Sequence, residues 1–335
     1  MPGGDPSARG QVRTGRGAAA RWPLGRGRVG NADTVPDMTI LASTGPLFAR
    51  PLDWALAVVA EAGYDGAELM ITQDPATQQA DRVLAAAETE GVSIPVVHGP
   101  FLLLTRRVYG TELIGKAERS LALAGQIGAD LMIVHPPFRW QRAFHNWLVN
   151  GGNQYAADHG TRIGVENLYP VTVAGRPIRF HRYTRPEHLE PFRHLVLDTS
   201  HFGVAEVDIN EAYARLAHRT VHLHVSDYRG GGRDSHAPLG HGLLPLGSFL
   251  RNVGRHTTGP NASHPRSITL ELDCRRYLDD RSALVGYLRQ ERQKCEALLD
   301  GASSEEILGR PDVVRRAPGA GEDDADQPTV GPAST

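Results

Sequence analysis

The residues with the most evident chemistry lie in the segment Thr220–Asp227 and in the loop that follows it. Alternation along this segment predicts a strand in which His222 and His224 share one face while aliphatic residues fill the other. After a run of glycines, Asp234 and His236 add a second carboxylate and a third imidazole. Because a buried polar group needs a partner, this concentration favours a strand whose end reaches a solvated site. Imidazoles and carboxylates together are the ligands of a divalent metal ion, so we predict a metal site here.

This strand must belong to a larger β-sheet, and the rest of the sequence predicts which kind. Eight short segments rich in Val, Ile and Leu alternate with segments of helical apolar spacing. Such alternation over about 250 residues is typical of an α/β protein with a parallel (β/α)8 barrel. A doubly wound open sheet is the alternative. Strands are predicted at Thr39–Ser43, Asp65–Ile71, Ile94–His98, Leu131–His135, Arg162–Glu166, His194–Asp198, Val221–Val225 and Ile268–Leu272, and helices at Leu52–Ala62, Pro75–Glu90, Glu112–Ile127 and Ser282–Leu299, with one long helix around 140–148.

The positions of the ionisable residues favour the barrel over the open sheet. Nearly every predicted strand ends with one such residue after its apolar run. In a barrel all the carboxyl ends of the strands converge on one mouth, where active sites of this fold lie. In an open sheet only the strands beside the switch point would converge. The strand-end residues are Glu68, His98, His135, Glu166, Asp198, His224 and Glu271.

A metal site is the interpretation that accounts for these residues as a set. Singly, a strand-end His or Glu is typical of a hydrogen-bonded residue at a barrel rim, and Asp198 before a short helix is typical of an N-cap. We interpret His222 as the partner of a neighbouring side chain and leave it outside the set. The nine residues that one cavity could gather as ligands are His98, His135, Glu166, Asp198, His201, His224, Asp234, His236 and Glu271.

The composition limits the class of protein and of partner. A formal net charge of −2 does not suit a protein that binds polyanions with its whole surface. A content of 40% hydrophobic and 22% charged residues is ordinary for a soluble globular protein. The two cysteines, Cys274 and Cys295, form no CxxC pattern, so we expect reduced thiols in a cytoplasmic protein. No apolar run approaches the roughly 20 residues that span a bilayer, so no membrane partner is expected.

The ends of the chain differ in composition from the rest. Residues 1–36 are rich in Gly, Ala, Arg and Pro and carry six arginines, which predicts a disordered leader. A weak nucleic-acid arm, or a true start at Met38, are the alternatives. The last residues are rich in Pro, Gly and Asp. We therefore expect a leader at 1–36, the barrel at 38–300 and a mostly disordered tail at 301–335.

Several motifs resemble a known family. They are Val97-His-Gly-Pro100, Val134-His-Pro-Pro137, Val165-Glu-Asn167, Asp198-Thr-Ser-His201, His224-Val-Ser-Asp227, Asp234-Ser-His-Ala-Pro-Leu-Gly-His-Gly242 and Glu271. Their order and spacing resemble the xylose-isomerase-like TIM barrel superfamily over roughly Met38 to Leu299. That superfamily holds sugar-phosphate isomerases and epimerases together with apurinic-site nucleases of the endonuclease IV type (AP endonuclease family 2).

The resemblance to the isomerase and epimerase branch implies one divalent metal ion (Mn, Co, Zn or Mg). Its ligands would be Glu166, Asp198, His224 and Glu271, and the two glutamates would move a proton on the substrate through an enediolate. On this basis we expect a metal-dependent isomerase or epimerase that acts on a sugar or sugar phosphate. The partner would be that small molecule, and a homo-oligomer is compatible with the sequence.

The resemblance to the nuclease branch implies the alternative, a zinc phosphodiesterase that binds nucleic acid. It would hold up to three zinc ions, with His98, His135 and Glu166 at the first, the four-residue set at the second, and His201, Asp234 and His236 at the third. Two departures oppose this alternative. The segment after Glu166 reads Asn-Leu-Tyr-Pro and lacks the Thr-Ala-Gly-Gln-Gly run of the nuclease, and the segment after His98 lacks a polar Asn.

A basic and aromatic cluster, Arg176–Arg185, follows the fifth strand and is expected to overhang the barrel mouth. Arginine suits multidentate recognition of phosphate, so this loop predicts a lid over an anionic substrate. A solvated surface loop is the alternative. We expect Arg176, Arg179 and Arg182 to contact the substrate, together with Glu68.

Overall fold

The computed structural model describes residues 38–100, 107–173, 176–178, 180, 182–257 and 265–312, with the backbone alone at 171–173 and 176–178. Within these residues, eight parallel strands close a barrel in the order β1-β10-β9-β8-β5-β4-β3-β2. The predicted (β/α)8 TIM barrel is therefore confirmed. The barrel strands are β1 (Thr39–Ser43), β2 (Gly66–Met70), β3 (Val96–His98), β4 (Leu131–Val134), β5 (Arg162–Glu166), β8 (Leu195–Asp198), β9 (Thr220–Val225) and β10 (Ser267–Leu270).

The helices surround the barrel and pack on its outer face. Glycine ends several of them in the left-handed conformation, as at Gly63, Gly91 and Gly128. The helices are α1 (Leu52–Ala62), α2 (Ala80–Glu90), α3 (Leu113–Ile127), α4 (Arg142–Asn150), α5 (Gly152–Asp158), α6 (Pro186–Leu189), α7 (Thr199–Val204), α8 (Ile209–Leu216), α9 (Leu246–Thr257), α10 (Arg281–Leu299) and α11 (Ser304–Leu308). No helix in the described part of the chain is both long and apolar enough to cross a membrane.

The apolar core forms two layers. The larger layer lies between strands and helices, and the smaller one fills the barrel interior with Leu41, Val96, Leu131, Ile133, Val196 and Val221. Gly164 of β5 faces this interior, where an added Cβ would lie 2.9 Å from a methyl carbon of Val196. A barrel interior is filled by side chains, so only the smallest residue fits at this point. The site residues must then lie above the apolar layer.

Three local predictions need correction. The segment predicted as one helix from Pro75 begins instead with a 3-10 turn at Pro75–Gln78, and α2 starts at Ala80. The long helix predicted to contain Trp140 begins only at Arg142 as α4, and a second helix, α5, follows it after Gly151. The loop after β5 contains an antiparallel hairpin, β6 (Val171–Val173) with β7 (Arg176–Ile178). The register of short loops and turns depends on local hydrogen bonds that apolar spacing does not record.

The expected parts of the chain are only partly within the described residues. The leader and the tail beyond residue 312 lie outside them. Residues 301–312, at the start of the expected tail, contain α11, and Ser304 is buried there, while disorder in the rest of the tail stays a prediction. Arg310 also binds the barrel, as described below.

Candidate metal centre

Four of the predicted ligands meet at the carboxyl ends of β5, β8, β9 and β10. Glu166 ends β5, Asp198 ends β8, His224 lies one residue before the end of β9, and Glu271 directly follows β10. One ligand atom from each lies within 4.8 Å of the others. The Nδ1 atom of His224 is 2.9 Å from Glu166 Oε1, 3.3 Å from Glu271 Oε2 and 3.9 Å from Asp198 Oδ2. Three carboxylates thus surround one imidazole nitrogen.

A second group shares Glu166 with the first. The Nε2 atoms of His98 and His135 lie 3.4 Å and 3.3 Å from Glu166 Oε2, and the two imidazole rings are 4.9 Å apart. Glu166 therefore presents one oxygen to His224 and the other to the histidine pair. Such a carboxylate can bridge two cations.

A third group lies beside the first two, on α7 and on the loop after β9. Asp234 Oδ2 is 2.7 Å from His236 Nε2 and 3.4 Å from His201 Nε2. Asp234 also accepts a 2.5 Å hydrogen bond from Ser200 Oγ. His236 adopts a positive φ of 38°. A non-glycine residue seldom takes this backbone conformation, and strain of this kind is concentrated at functional sites.

The two carboxylate oxygens of Asp198 indicate whether these residues fit a cation. Its carboxylate caps α7 by accepting a 2.8 Å hydrogen bond from the backbone N–H of His201, so the N-cap and the ligand interpretations both apply. Its second oxygen, Oδ2, is buried and has no hydrogen-bond partner among the described residues. A buried carboxylate oxygen without a donor needs a counter-charge. The donor set of imidazole nitrogens and carboxylate oxygens fits Zn, Mn or Co, and the geometry does not choose among them.

The pKa values reflect this concentration of opposite charges. Burial would raise the pKa of Glu166, but His224, together with hydrogen bonds from His224 and His98, lowers it well below its usual range. Burial raises the pKa of Asp198 to about 6, although His201 and His236 oppose the rise. Burial would lower the pKa of His224, but Glu68 and Glu166 raise it well above its usual value. Protons on the imidazoles thus balance the carboxylates, and a divalent cation would replace them.

The residues predicted to contact the substrate differ in exposure, and the structure describes only some of them. Arg182 is exposed, only the backbone of Arg176 is described, and Arg179 lies outside the described residues. The backbone N–H of Arg139 donates a 3.0 Å hydrogen bond to the carbonyl of Phe180, which ties this loop to the one after β4. Glu68 is not at a strand end, as was predicted, but in the middle of β2, and it is fully buried.

Two residues of the site were not singled out from the sequence. Asn167 donates to the Asp198 carbonyl at 3.1 Å and accepts from the Asp198 backbone N–H at 2.7 Å, so it fastens β5 to β8 below the ligands. The ring of Tyr169 lies 4.7 Å from that of His201. Burial and the charge of Asp234 raise the pKa of Tyr169, so its hydroxyl stays protonated. Their sequence signal is the segment Asn-Leu-Tyr that follows Glu166, which was noted as a motif without a role for either residue.

Comparison with known proteins agrees with this architecture. The family model described as a xylose isomerase-like TIM barrel matches residues 56–264. An uncharacterized protein of Mycobacterium leprae is 31% identical over 236 residues, which cover 64% of this chain and 84% of that protein. An uncharacterized protein of Mycobacterium tuberculosis is 30% identical over 230 residues, which cover 63% of this chain and 82% of that protein.

Solved structures show the same fold at low sequence identity. The IolI protein with a bound zinc atom has a TM-score of 0.61 at 13% identity, covering 79% of this chain and 100% of that one. L-ribulose 3-epimerase has a TM-score of 0.57 at 15% identity, covering 78% and 95%. A D-tagatose 3-epimerase-like protein has a TM-score of 0.55 at 19% identity, covering 77% and 99%. The chain belongs to the xylose isomerase-like TIM barrel family.

Proposed function

We propose that this protein is a divalent-metal-dependent isomerase or epimerase that acts on a sugar or a sugar phosphate. The observation that carries the proposal is the pair of carboxylates, Glu166 and Glu271, which lie 2.9 Å and 3.3 Å from the same nitrogen of His224. Two carboxylates held close together at a barrel mouth suit an enzyme that removes a proton from carbon and returns one. The neighbouring structures named as an L-ribulose 3-epimerase and a D-tagatose 3-epimerase-like protein support this chemistry.

The roles of the four ligands follow from their burial. A cation held by Glu166, Asp198, His224 and Glu271 would polarise the carbonyl and hydroxyl oxygens of a ketose. Glu271 has a side chain 15% exposed, whereas that of Glu166 is 1% exposed. Glu271 is therefore the carboxylate that an entering substrate meets first, and we assign to it proton exchange on the open side. Glu166 would exchange the proton on the other side.

The second candidate is a zinc phosphodiesterase, and a specific observation favours it. All three groups that such an enzyme requires occur among the described residues, and two of them share Glu166 in the way that the resemblance implies. The net charge of −2 and the Asn-Leu-Tyr-Pro segment after Glu166 oppose it. A sugar phosphate would also explain a site with more than one cationic position, because it carries both a ketose and an anion.

Metal content per chain separates the two candidates. The measurement is elemental analysis of protein purified without chelator or affinity tag. About one exchangeable ion, followed by incorporation of solvent deuterium into a member of a ketose and ketose-phosphate panel, would support the isomerase. Close to three zinc ions and nicking of abasic DNA would support the phosphodiesterase. No bound metal, even after soaking with Mn, Co or Zn, would contradict both.

A matched variant links the activity to the site. Glu271→Gln keeps the size of the side chain and removes its capacity to accept a proton at neutral pH. Deuterium incorporation should fall to background at saturating metal. A variant that retains the activity would show that a contaminating enzyme, or another site, is responsible.

A further inference from the structure

A second polar cluster lies inside the barrel, below the metal centre. It consists of Glu68 of β2, His222 of β9 and Thr269 of β10, and none of these side chains is exposed to solvent. Polar groups at such depth are costly unless they bond to one another. Apolar packing of the barrel interior does not require these polar side chains, so their role must lie in the polar contacts that they make.

The contacts form a continuous series that begins at His224 and leads into the interior of the barrel. Glu68 Oε2 is 3.0 Å from His224 Nε2 and 2.7 Å from Thr269 Oγ1. Thr269 Oγ1 is 2.9 Å from His222 Nε2, and His222 Nδ1 is 2.7 Å from Ser267 Oγ. The chain thus links a predicted ligand to Ser267 at the first residue of β10.

One assignment of protons satisfies every hydrogen bond of this series, which passes through Glu68 Oε2, while Glu68 Oε1 is buried without a hydrogen-bond partner among the described residues. The Thr269 hydroxyl has a single proton, which it donates to Glu68. Its oxygen then accepts from Nε2–H of His222, whose Nδ1 accepts from the Ser267 hydroxyl. An ionised carboxylate accepts and does not donate, so His224 must donate its Nε2–H to Glu68. With Nε2–H donated to Glu68, the proton that a divalent cation would replace is the one on Nδ1, which faces the three carboxylates.

Glu68 and Glu166 compete for the proton of His224. Glu166 Oε1 is 2.9 Å from Nδ1, and Glu68 Oε2 is 3.0 Å from Nε2, so each carboxylate favours a different tautomer. Only the tautomer that donates to Glu68 leaves a free lone pair on the nitrogen that faces Asp198 and Glu271. A carboxylate behind a ligating histidine commonly selects the tautomer and fixes the ring.

We propose that Glu68 is a positioning residue that fixes His224 with Nδ1 toward the metal centre, and that Thr269 and His222 hold Glu68 in place. The inference rests on the proposed function, because it takes His224 as a metal ligand. It replaces the predicted substrate contact of Glu68, whose buried carboxylate lies against β9 and β10.

The test measures zinc affinity by competition with a chromogenic chelator. Glu68→Gln should bind zinc about 10–100-fold more weakly, which is the usual effect of losing such a partner. Thr269→Val, which keeps the shape and removes the supporting hydroxyl, should weaken binding in the same direction by less. The matched control is Glu61→Gln, the same chemical change at a carboxylate of α1 that pairs with Arg281 of α10 on the outer layer of helices, and it should leave the affinity unchanged.

A spectroscopic measurement separates positioning from simple loss of stability. The visible absorption of bound Co²⁺ reports ligand geometry, and it should shift in Glu68→Gln but not in the control Glu61→Gln. Unchanged affinity and spectrum in both Glu68→Gln and Thr269→Val would overturn the inference. Loss of more than about 10⁴-fold in Glu68→Gln, with Thr269→Val like the wild type, would also overturn it, because Glu68 would then be a ligand.

The same experiment distinguishes this inference from the proposed function. A wild-type protein that binds no Zn²⁺ or Co²⁺ contradicts the proposed function. If the wild-type protein binds these ions no more tightly than the variants do, the role of Glu68 is contradicted and the proposed function is not. If Glu68→Gln does not fold, Thr269→Val decides the question by the same two readouts.

Discussion

Glu166 is the residue that couples the groups of the metal centre. Its Oε1 atom lies 2.9 Å from His224 Nδ1, and its Oε2 atom lies 3.3 Å from His135 Nε2. Any change of charge at Glu166 therefore reaches two sets of ligands at once. Glu271 lies 3.3 Å from His224 Nδ1 and, among the described residues, belongs to one group of candidate ligands, so it is the better residue for testing proton transfer.

Replacement of Glu271 by Gln should abolish turnover and leave the fold intact. The loss expected from removing a general acid–base group is about 10²–10⁴-fold in kcat. The side chain is only partly buried, so urea unfolding of the metal-free variant should follow the wild-type curve. Turnover is measured at saturating metal to compensate for weaker binding. Activity within tenfold of the wild type would remove Glu271 from the mechanism.

Replacement of His201 or His236 by Ala tests how many cations the reaction needs. Both side chains contact the carboxylate of Asp234, and neither belongs to the four-residue set at the ends of β5, β8, β9 and β10. For the proposed isomerase, Ala at either position should change kcat by less than about tenfold. The bound metal per chain should also stay the same. For the phosphodiesterase, each variant should lose close to one zinc per chain and most of its nicking activity. Elemental analysis beside the two assays gives the answer.

The candidate ligands could be predicted because barrel topology forces the carboxyl ends of parallel strands together. The sequence therefore located nine residues that the structure brings into three adjoining groups. Glu68 could not be located in this way, because its depth depends on the register of β2 against β1 and β3. Asn167 and Tyr169 also act through contacts with distant residues, which no local pattern records.

Among the elements, the loop between β9 and α9 needs its own support because it carries Asp234 and His236. Asp227, at its start, is fully buried. Its carboxylate accepts from the backbone N–H groups of Tyr228, Gly240, Gly242 and Leu244, at 2.8–3.1 Å. Arg310 adds a charged donor at 2.8 Å. One side chain thus holds both ends of the loop in place.

Replacement of Asp227 by Ala should therefore destabilise the protein strongly. It leaves four backbone N–H groups, two of them buried, and one arginine without their acceptor, for which a cost of about 3–5 kcal/mol is typical. The matched control is Glu190→Ala, which breaks an exposed ion pair with Arg215 and should cost less than about 1 kcal/mol. Denaturant unfolding of metal-free protein measures both. Equal effects would mean that the loop is held by other contacts.

The elements themselves were predicted more accurately than their connections. Every barrel strand lies within about two residues of its predicted bounds, because a strand buried on both faces reads as an apolar run. The β6–β7 hairpin was missed, since its three-residue strands carry too few residues to show alternation. The break between α4 and α5 was missed because apolar spacing continues through Gly151.

At the scale of the whole molecule, the two cysteines test the packing of α10 and of the segment after β10. Both are buried and unpaired with each other. Burial raises the pKa of Cys274 to about 12 and raises that of Cys295 as well. A raised pKa keeps a thiol neutral at pH 8, and the thiolate is the reactive form. Neither should react with a thiol-specific disulfide reagent in the folded protein, and both should react in denaturant. Rapid reaction of either in the native state would indicate local opening.

The segment Ala302–Asp312 contacts α9 and the loop that carries the candidate ligands Asp234 and His236. Arg251 of α9 donates to the carbonyl of Ala302, to Ser304 Oγ and to the carboxylate of Asp312. Gly247 of α9 allows this approach, because an added Cβ would lie 1.7 Å from Ser304 Oγ. Arg310 reaches the carboxylate of Asp227, which organises the ligand-bearing loop. The segment is therefore a brace for that loop, although it lies far along the chain from Asp234 and His236.

Truncation tests this brace. A chain that ends after residue 312 keeps all of these contacts, whereas a chain that ends after Gly301 loses Arg310 and leaves the buried Asp227 carboxylate without its charged partner. We expect the shorter chain to unfold at lower denaturant concentration, with a loss of about 3–5 kcal/mol. Bound metal should be retained at the four-residue set, which the brace does not contact, but binding that involves Asp234 and His236 should weaken. The substitution Arg310→Met in the longer chain should reproduce much of the effect, which ties it to the ion pair. Equal stability of the two chains would show that the loop keeps its shape without the brace.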